Sequence, residues 1–408
     1  MGNGAEPQDL DPQITTGVPE HRLSTVLFEG LVTLDFASPD LPPIPAVAER
    51  WTVSDDGLVY TFTLRENARW SNGDPVTARD FVYSWQRVLS PKLASEYSYM
   101  LFCLKNAKAF NEGKIADFAK VGVKALDDRT LEASLEAPTP YFLSMQVHNS
   151  WFPVHQATIE RFGKMDERST PWTRPGNHVG NGPFLLERWS PNEVIRVVKN
   201  PHYWDAAKVR LDAIEFYPID NQLTEERSFR AGELHLTESV PLSKIEVYQR
   251  VNPDLIHIDP YLGSYYYRFN VTKPPFDNVL VRRAFAMAID RETLVAKVLK
   301  GGQKPASCFT PPGVAGYTCA ASIPYDPGEA KKLLAQAGYP DGKGLPPIEF
   351  LYNSSENHKL IAEAIQNMWK LNLGVEVGLA NQDWKVYLDS MKALNYQIAR
   401  SGWIADYV

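Results

Sequence analysis

Short stretches in which apolar and polar side chains alternate are interleaved with runs whose apolar positions recur every three or four residues, and this succession extends along a chain of 408 residues. Period two lays side chains on the two faces of a strand, and period 3.6 gathers them on one stripe of a helix. The chain is therefore expected to be α/β with mixed sheets. Tyr60-Thr61-Phe62-Thr63-Leu64 predicts a strand, and Trp70-Ser71-Asn72-Gly73-Asp74-Pro75 a turn. Thr77 is then placed to cap a helix on which Phe81, Val82, Trp85 and Val88 share a face. A break at Pro91 precedes a helical run over 95–110, and 131–135 reads as a strand stopped by Pro138 and Pro140.

A second block begins near Pro153. It carries expected strands at 184–187, 194–198 and 214–218, a helix from Asn221 to Ala231-Gly232, and a short strand Leu234-His235-Leu236. That strand-helix-strand rhythm predicts a right-handed crossover. The third block opens near Gly263 with a strand at 265–269 and helices over 278–289 and 291–299. A helix over 326–337, a strand at 348–352, a long helix over 356–371, a strand Val375-Glu376-Val377, a helix over 384–388 capped by Asp383, and a strand at 396–399 follow. At roughly 150 residues per domain this length suits two or three domains, each able to bury its own core.

A net charge of -7 disfavours nucleic acid or an anionic membrane face as the main partner, because both need a basic footprint. No run approaches the ~20 apolar residues of a spanning helix, so direct membrane insertion is not expected. The start Met1-Gly2-Asn3-Gly4 has neither basic n-region nor apolar h-region, so an exported chain would have lost its signal. Three cysteines make no disulfide framework, and none forms Cys-x-x-Cys. Cys103, in Leu101-Phe102-Cys103-Leu104, reads as a buried small hydrophobe. Cys308 and Cys319 flank a Pro/Gly loop; a bridge, which would gain about 3 kcal/mol by chain entropy, and two free thiols both stay open.

Catalytic signatures are absent: there is no Gly-x-Ser-x-Gly, no His-Glu-x-x-His, and no Gly-x-Gly-x-x-Gly after a strand. Gly338-Tyr339-Pro340-Asp341-Gly342-Lys343-Gly344 has the wrong spacing for a phosphate loop and reads as a helix stop and turn. The eight His include no i, i+4 pair. The chain is thus read as a non-enzyme needing no cofactor or metal. A peptide hydrolase and a chaperone-like or adhesive binder of unfolded segments are the rival classes.

Several segments carry a resemblance. They are Phe28-Glu29-Gly30-Leu31-Val32, Ala46-Val47-Ala48-Glu49-Arg50-Trp51, Trp70 through Arg87, Asn200-Pro201-His202-Tyr203-Trp204, Lys273-Pro274-Pro275-Phe276-Asp277 with Arg283-Ala284, and Gly402-Trp403-Ile404-Ala405-Asp406-Tyr407. Taken in this order, they make the chain resemble the solute-binding proteins that serve bacterial ABC transporters of oligopeptides and dipeptides. The resemblance implies a type II periplasmic-binding-protein clamshell, two lobes built from three domains. Domain I would comprise 1–28 plus 156–262, domain II 29–155 packed on it, and domain III 263–408. It also implies a monomer, periplasmic or held at the cell surface as a lipoprotein, that passes short peptides to ABC permease subunits. Other branches of the fold carry dipeptides, murein peptides, metal chelates or haem.

A receptor tolerant of sequence should bind what all peptides share: the extended backbone, the amine and the carboxylate. The resemblance implies that Asp406 anchors the amine, with Gly402 and Trp403 of its motif beside the ligand. Arg400 would take the carboxylate of short peptides, and His358 and Asn353 the far end of longer ones. Tyr97 lies in a loop that packs on the peptide, Trp384 lines a side-chain pocket, and Tyr266 holds the cleft-facing position. Period two separates Tyr266 from Tyr265 and Tyr267, which are read as packing. Thr16 and Val18 belong to the stretch that pairs with the ligand backbone, with Thr16 standing where some relatives place an acid. Gly263 and Ile404 replace the cross-linking cysteines of this branch. Family members continue past the Asp406 motif, so the third domain is expected to be incomplete and the chain a fragment or truncated product. The strand over 396–403 would then have an unpaired edge, with Trp369, Ile398 and Trp403 near an exposed patch.

Overall fold

The computed structural model describes residues 1–259, 261–314 and 316–407. The chain divides into two compact units, one of Met1, 6–218 and the Asp406-Tyr407 end, the other of 2–5 and 219–405.

In the first unit, β1 (Val32–Leu34) pairs antiparallel with β2 (Pro43–Pro45). The strands β3 (Ala48–Val53), β4 (Val59–Leu64), β5 (Val123–Ala125) and β6 (Thr130–Ser134) form an antiparallel sheet in the order β3-β4-β6-β5. Tyr60, Phe62 and Leu64 bury one face of β4 as the alternation requires. Their core is shared with Phe81, Trp85 and Val88 of the helix Ala78–Leu89. A capping box starts that helix: Asp80 Oδ2 accepts from the Thr77 backbone N–H at 2.7 Å.

The single helix expected over 95–110 is replaced by a 3-10 turn (Ser98–Leu101) and a short helix (Ala107–Asn111). Asn106 between them is left-handed, φ 60°. Its backbone N–H donates to Glu136 and its side chain to the Lys120 carbonyl, while Lys105 N–H donates to Ser134. Donors that a helix would use internally serve the end of β6 instead.

The third sheet is β7 (Phe184–Ser190), β8 (Val194–Lys199) and β9 (Ala213–Phe216), all antiparallel, over a core with Leu23, Leu27 and Phe28. Arg87, fully buried, donates to both oxygens of Asp11 at 3.0 and 2.6 Å and to Gln13 Oε1 at 2.7 Å. This pair ties the segment leading to Thr16 onto the helix Ala78–Leu89.

The second unit holds β10 (Gly263–Phe269), β11 (Ile348–Asn353), β12 (Val377–Gln382) and β13 (Ile398–Ile404) in the order β10-β13-β11-β12. The β10/β13 pair is antiparallel and the others are parallel, so the sheet is mixed as expected. Phe285, Leu334, Ile365 and Trp369, from the helices Val279–Met287, Pro327–Gln336 and Glu356–Leu373, join Phe350 and Ile398 in its core.

The bare edge and apolar patch expected around 396–403 are corrected here. β13 pairs with β10 along its length, from Gly263↔Ile404 to Phe269↔Ile398, and with β11 at Ile398 and Ala399. Trp369 and Ile398 are fully buried, and the Trp369 indole donates to the Phe285 carbonyl at 2.9 Å. Leu234-His235-Leu236 forms no strand, so the crossover is not made; the Leu236 carbonyl accepts from Gly2 N–H at 2.9 Å. The strand expected at 375–377 begins only at Val377, because Gly374, at φ 71°, closes the preceding helix and Val375-Glu376 make the turn. Among the described residues no helix is long and apolar enough to cross a membrane.

Candidate functional site

Two clusters of site residues form, one within each unit. In the first unit Asp406 is nearly enclosed, its side chain 12% exposed. The Tyr97 hydroxyl donates to Oδ1 at 3.4 Å, and Nε2 of His148 lies 3.6 Å from the same oxygen. Tyr97 sits at the head of the 3-10 turn Ser98–Leu101, its ring 4.3 Å from that of His148. The Ser150 backbone N–H can only donate, and it reaches His148 Nδ1 at 3.2 Å. The imidazole proton is therefore on Nε2, facing the carboxylate. Burial, with the neighbouring His21, pushes His148 down to about 3, so the ring is neutral.

Burial pushes the Asp406 carboxyl up to about 6, opposed by the hydrogen bond from Tyr97. Neither neighbour is cationic. A desolvated carboxylate with neutral neighbours gains most from an incoming cation. Beside it, Tyr407 stacks on Tyr141 at 5.3 Å and 11°.

Thr16 and Val18 flank Gly17, the extended N-cap of the helix Val18–Leu27; Val18 is exposed and Thr16 partly so. Asn149 holds this segment beside His148, its amide donating to the Pro12 carbonyl and its oxygen accepting from His21 Nδ1 at 3.1 Å.

In the second unit Arg400, on β13 opposite Tyr267, donates from Nη1 to Asn353 Oδ1 at the end of β11, 3.1 Å away. Its guanidinium lies 5.0 Å from the centre of the Tyr265 ring. The Tyr265 hydroxyl is 3.4 Å from Nδ1 of His358, in the first turn of the helix that Ser355 caps. Burial and then the Arg400 charge push His358 well below the usual histidine value, so it too is neutral. Among the described residues no carboxylate lies within ion-pair distance of Arg400, and its Nε is buried without a partner. An arginine so placed lacks the anion that would satisfy its fork.

Gly402 follows Arg400 on the same face, where a Cβ would lie at ordinary contact distance, 3.4 Å, from Arg400 Nη2. Trp384 stacks on Tyr387 at 5.8 Å, and the Tyr387 hydroxyl donates to the Arg400 carbonyl. Trp403, one residue past Gly402 and opposite Ser264, and Tyr266 fall on the other face of the strand pair by period two. Tyr266 packs on Phe309 at 5.0 Å. The structure thus gathers Asp406 with Tyr97, and Arg400 with Asn353 and His358, and keeps Tyr266 and Trp403 off the Arg400 face. It adds His148 and Tyr265. Tyr265 shares a face with Tyr267, as its spacing shows, but that face also carries Arg400 and His358. No local signal marks His148, which a turn at 149–151 brings to Asp406 from far away in sequence.

Among the described residues no group of three or more His, Cys, Asp or Glu could hold a metal ion.

Comparison with known proteins gives one answer at the levels of sequence and fold. The chain is 43% identical to the periplasmic oligopeptide-binding protein OppA of Escherichia coli over 418 aligned residues, covering 99% of this chain and 74% of that protein. It is 42% identical to the periplasmic murein peptide-binding protein MppA of the same organism, covering 98% and 74%. The solved structure of the Escherichia coli murein tripeptide binding protein MppA matches with a TM-score of 0.92 at 41% identity, over 99% of this chain and 78% of that one. Haemophilus influenzae OppA in complex with RPPGFSPFR matches with a TM-score of 0.89 at 37% identity, over 100% and 79%. The model of the bacterial extracellular solute-binding proteins, family 5 Middle, matches residues 42–408, and the chain belongs to that family.

Proposed function

We propose that this chain is an extracytoplasmic receptor that captures short peptides by their free ends and delivers them, as a monomer, to the permease of an ABC transporter, without chemistry on the cargo. One observation carries the reading: among the described residues each unit presents a charged side chain without a counter-ion, a nearly enclosed carboxylate on one and an arginine with an unpartnered Nε on the other. Peptide ends carry the two complementary charges. The Asp406 carboxylate takes the ammonium, with the Tyr97 hydroxyl bonded to Oδ1 and the His148 Nε2–H facing the same oxygen. Arg400, steadied by Asn353 and Tyr265, takes the terminal carboxylate of a short peptide, and the neutral His358 beside Tyr265 lies at the far end of a longer one. Thr16 offers backbone for strand-like pairing, which is indifferent to side chains, whereas Val18, expected in the same extended stretch, opens the helix and offers only its exposed side chain. Relatives named for oligopeptides and for murein peptides support this cargo class.

Calorimetry with a free tripeptide, its N-acetylated form and its C-terminal amide tests the reading. Each blocked form should bind at least about tenfold more weakly; equal affinities of all three would discard it. Small-angle scattering should report a smaller radius of gyration at saturating peptide, as expected of ligand-driven closure.

A further inference from the structure

Two amide side chains lie close to the Arg400 cluster in the chain but take no part in it. Gln222 opens the helix Gln222–Arg230 and is only 6% exposed. Its Oε1 accepts from the Ser355 hydroxyl at 3.2 Å and from the backbone N–H groups of Glu356 and Asn357 at 2.9 and 3.4 Å. Backbone N–H groups can only donate, so the atom that faces them is the amide oxygen. The Ser355 hydroxyl already accepts from His358 N–H at 3.3 Å, which leaves its own proton for Gln222. The first turn of the helix Glu356–Leu373 is thereby capped twice, by Ser355 at its own start and by Gln222 from 134 residues away. Asn357 fastens the same turn again: its Oδ1 accepts from Leu242 N–H at 3.2 Å, and its Nδ2 donates to the Val240 carbonyl at 3.3 Å.

These bonds cross the line along which a two-lobed receptor would part. The resemblance separates domain I from domain III between 262 and 263, whereas Gln222, Val240 and Leu242 on one side of that line bond to 355–357 on the other, all within the second unit. The Lys300–Glu246 ion pair, 2.8 Å across the same line, faces solvent and contributes little. Building on the transport reading, we propose that Gln222 and Asn357 are positioning residues that act as a latch: their five hydrogen bonds hold the segment 219–262 on the first turn of the helix Glu356–Leu373 in the peptide-holding form and break when the receptor opens. Such a latch suits repeated use, because an amide and a helix N-terminus can each be satisfied by water once parted. His358, the residue after Asn357, stands against Tyr265, whose ring carries the Arg400 guanidinium. The turn that the latch fixes is therefore the turn that flanks the anion cluster. Latch and cargo favour one and the same form, so the latch raises the affinity of every peptide without touching any.

Calorimetry on Gln222→Ala, Asn357→Ala and the double variant tests the latch with a free tripeptide, its N-acetylated form and its C-terminal amide. Each single variant should weaken all three ligands by one common factor, about three- to tenfold, and the double variant by more. Stopped-flow kinetics should place the loss in faster dissociation, since the latch forms after capture. Gln222→Glu keeps the oxygen and sets an anion at a helix N-terminus, so it should bind as well as the wild type. Glu246→Gln should change affinity less than about twofold. Unchanged affinity in the double variant would overturn the latch, as would a loss confined to one ligand, a loss carried by slower association, a Gln222→Glu variant as weak as Gln222→Ala, or an equal loss in Glu246→Gln. If an alanine variant folds poorly, the isosteric Asn357→Asp, deprived only of its donor to Val240, replaces it with an expected loss of about threefold, and unchanged affinity there overturns the latch as well. The latch is read from ratios between variants with one ligand, and the transport reading from ratios between ligands with one protein, so either can fail alone.

Discussion

The two clusters solve one problem, holding a charge without its counter-ion, in opposite ways. Around Asp406 the chain supplies burial, a hydroxyl and a neutral imidazole, which together leave the carboxyl near the edge of neutrality. Around Arg400 it supplies an amide oxygen and an aromatic face, partners that suit a charge the side chain cannot shed. The acidic half is therefore adjustable by pH and the basic half is fixed. The lesson concerns residue choice: a carboxylate can be stored partly protonated until a cation arrives, whereas a guanidinium has to be stored charged.

The strongest test of this contrast removes the adjustable charge. Asp406→Asn should weaken a free tripeptide by about 2 to 5 kcal/mol while leaving its N-acetylated form almost unaffected, as read by calorimetry. If the acetylated peptide lost as much, Asp406 would be a structural group. Arg400→Met should weaken the same tripeptide about 10- to 100-fold and leave its C-terminal amide little changed. A uniform loss across both ligands would mean that Arg400 shapes the sheet rather than holding an anion.

A pH titration should separate the halves more finely. With the unliganded carboxyl near 6, Asp406 is mostly charged at pH 7 and mostly protonated at pH 5, so affinity for a free tripeptide should fall about tenfold on acidification. Asp406→Asn should flatten that profile and Arg400→Met should not. The same raised value means that the folded chain binds more protons than the unfolded one between about pH 4 and 6, so this group's contribution to stability falls as pH rises through that window. The smallest effect is expected from His148→Phe. Losing the Nε2–H from beside Oδ1 should move the midpoint of the affinity profile up by a few tenths of a pH unit with little change at pH 8.

Legibility in sequence followed the range of the forces involved. β4 and the helix Ala78–Leu89 were readable because alternation, helical spacing and the Thr77 cap are local; the structure starts the strand one residue earlier, at Val59, and adds Asp80 to the cap. The run 95–110 was not, because Asn106 and Lys105 spend their backbone donors on Glu136 and Ser134, partners about thirty residues away. Leu234-His235-Leu236 has the composition of a strand but forms no ladder, and the Leu236 carbonyl accepts from Gly2 N–H instead. In the clusters, Asp406 could be named as a candidate because a motif carries it, and Arg400 because it matches the same family's pattern six residues earlier. His148 could not, since its role depends on a ring tautomer set by the Ser150 N–H and on a fold that joins residues 148 and 406. Tyr265 was visible as one face of a strand, but which face holds the arginine is settled only by the pairing of Tyr265 with Gly402 and Tyr267 with Arg400.

That pairing bears on how such a receptor can diverge. Arg400 lies within β13 and Asp406 follows two residues beyond its end, so both proposed anchors depend on the register of a single strand against β10. Inserting or deleting one residue between Ile398 and Arg400 would turn the arginine onto the opposite face and displace the acid by about 3.3 Å along the chain. Lineages descending from such a protein can retune individual pockets by point substitution, but the segment 398–406 must be inherited as a cassette of fixed length, and recombination breakpoints within it should be purged together with both anchors.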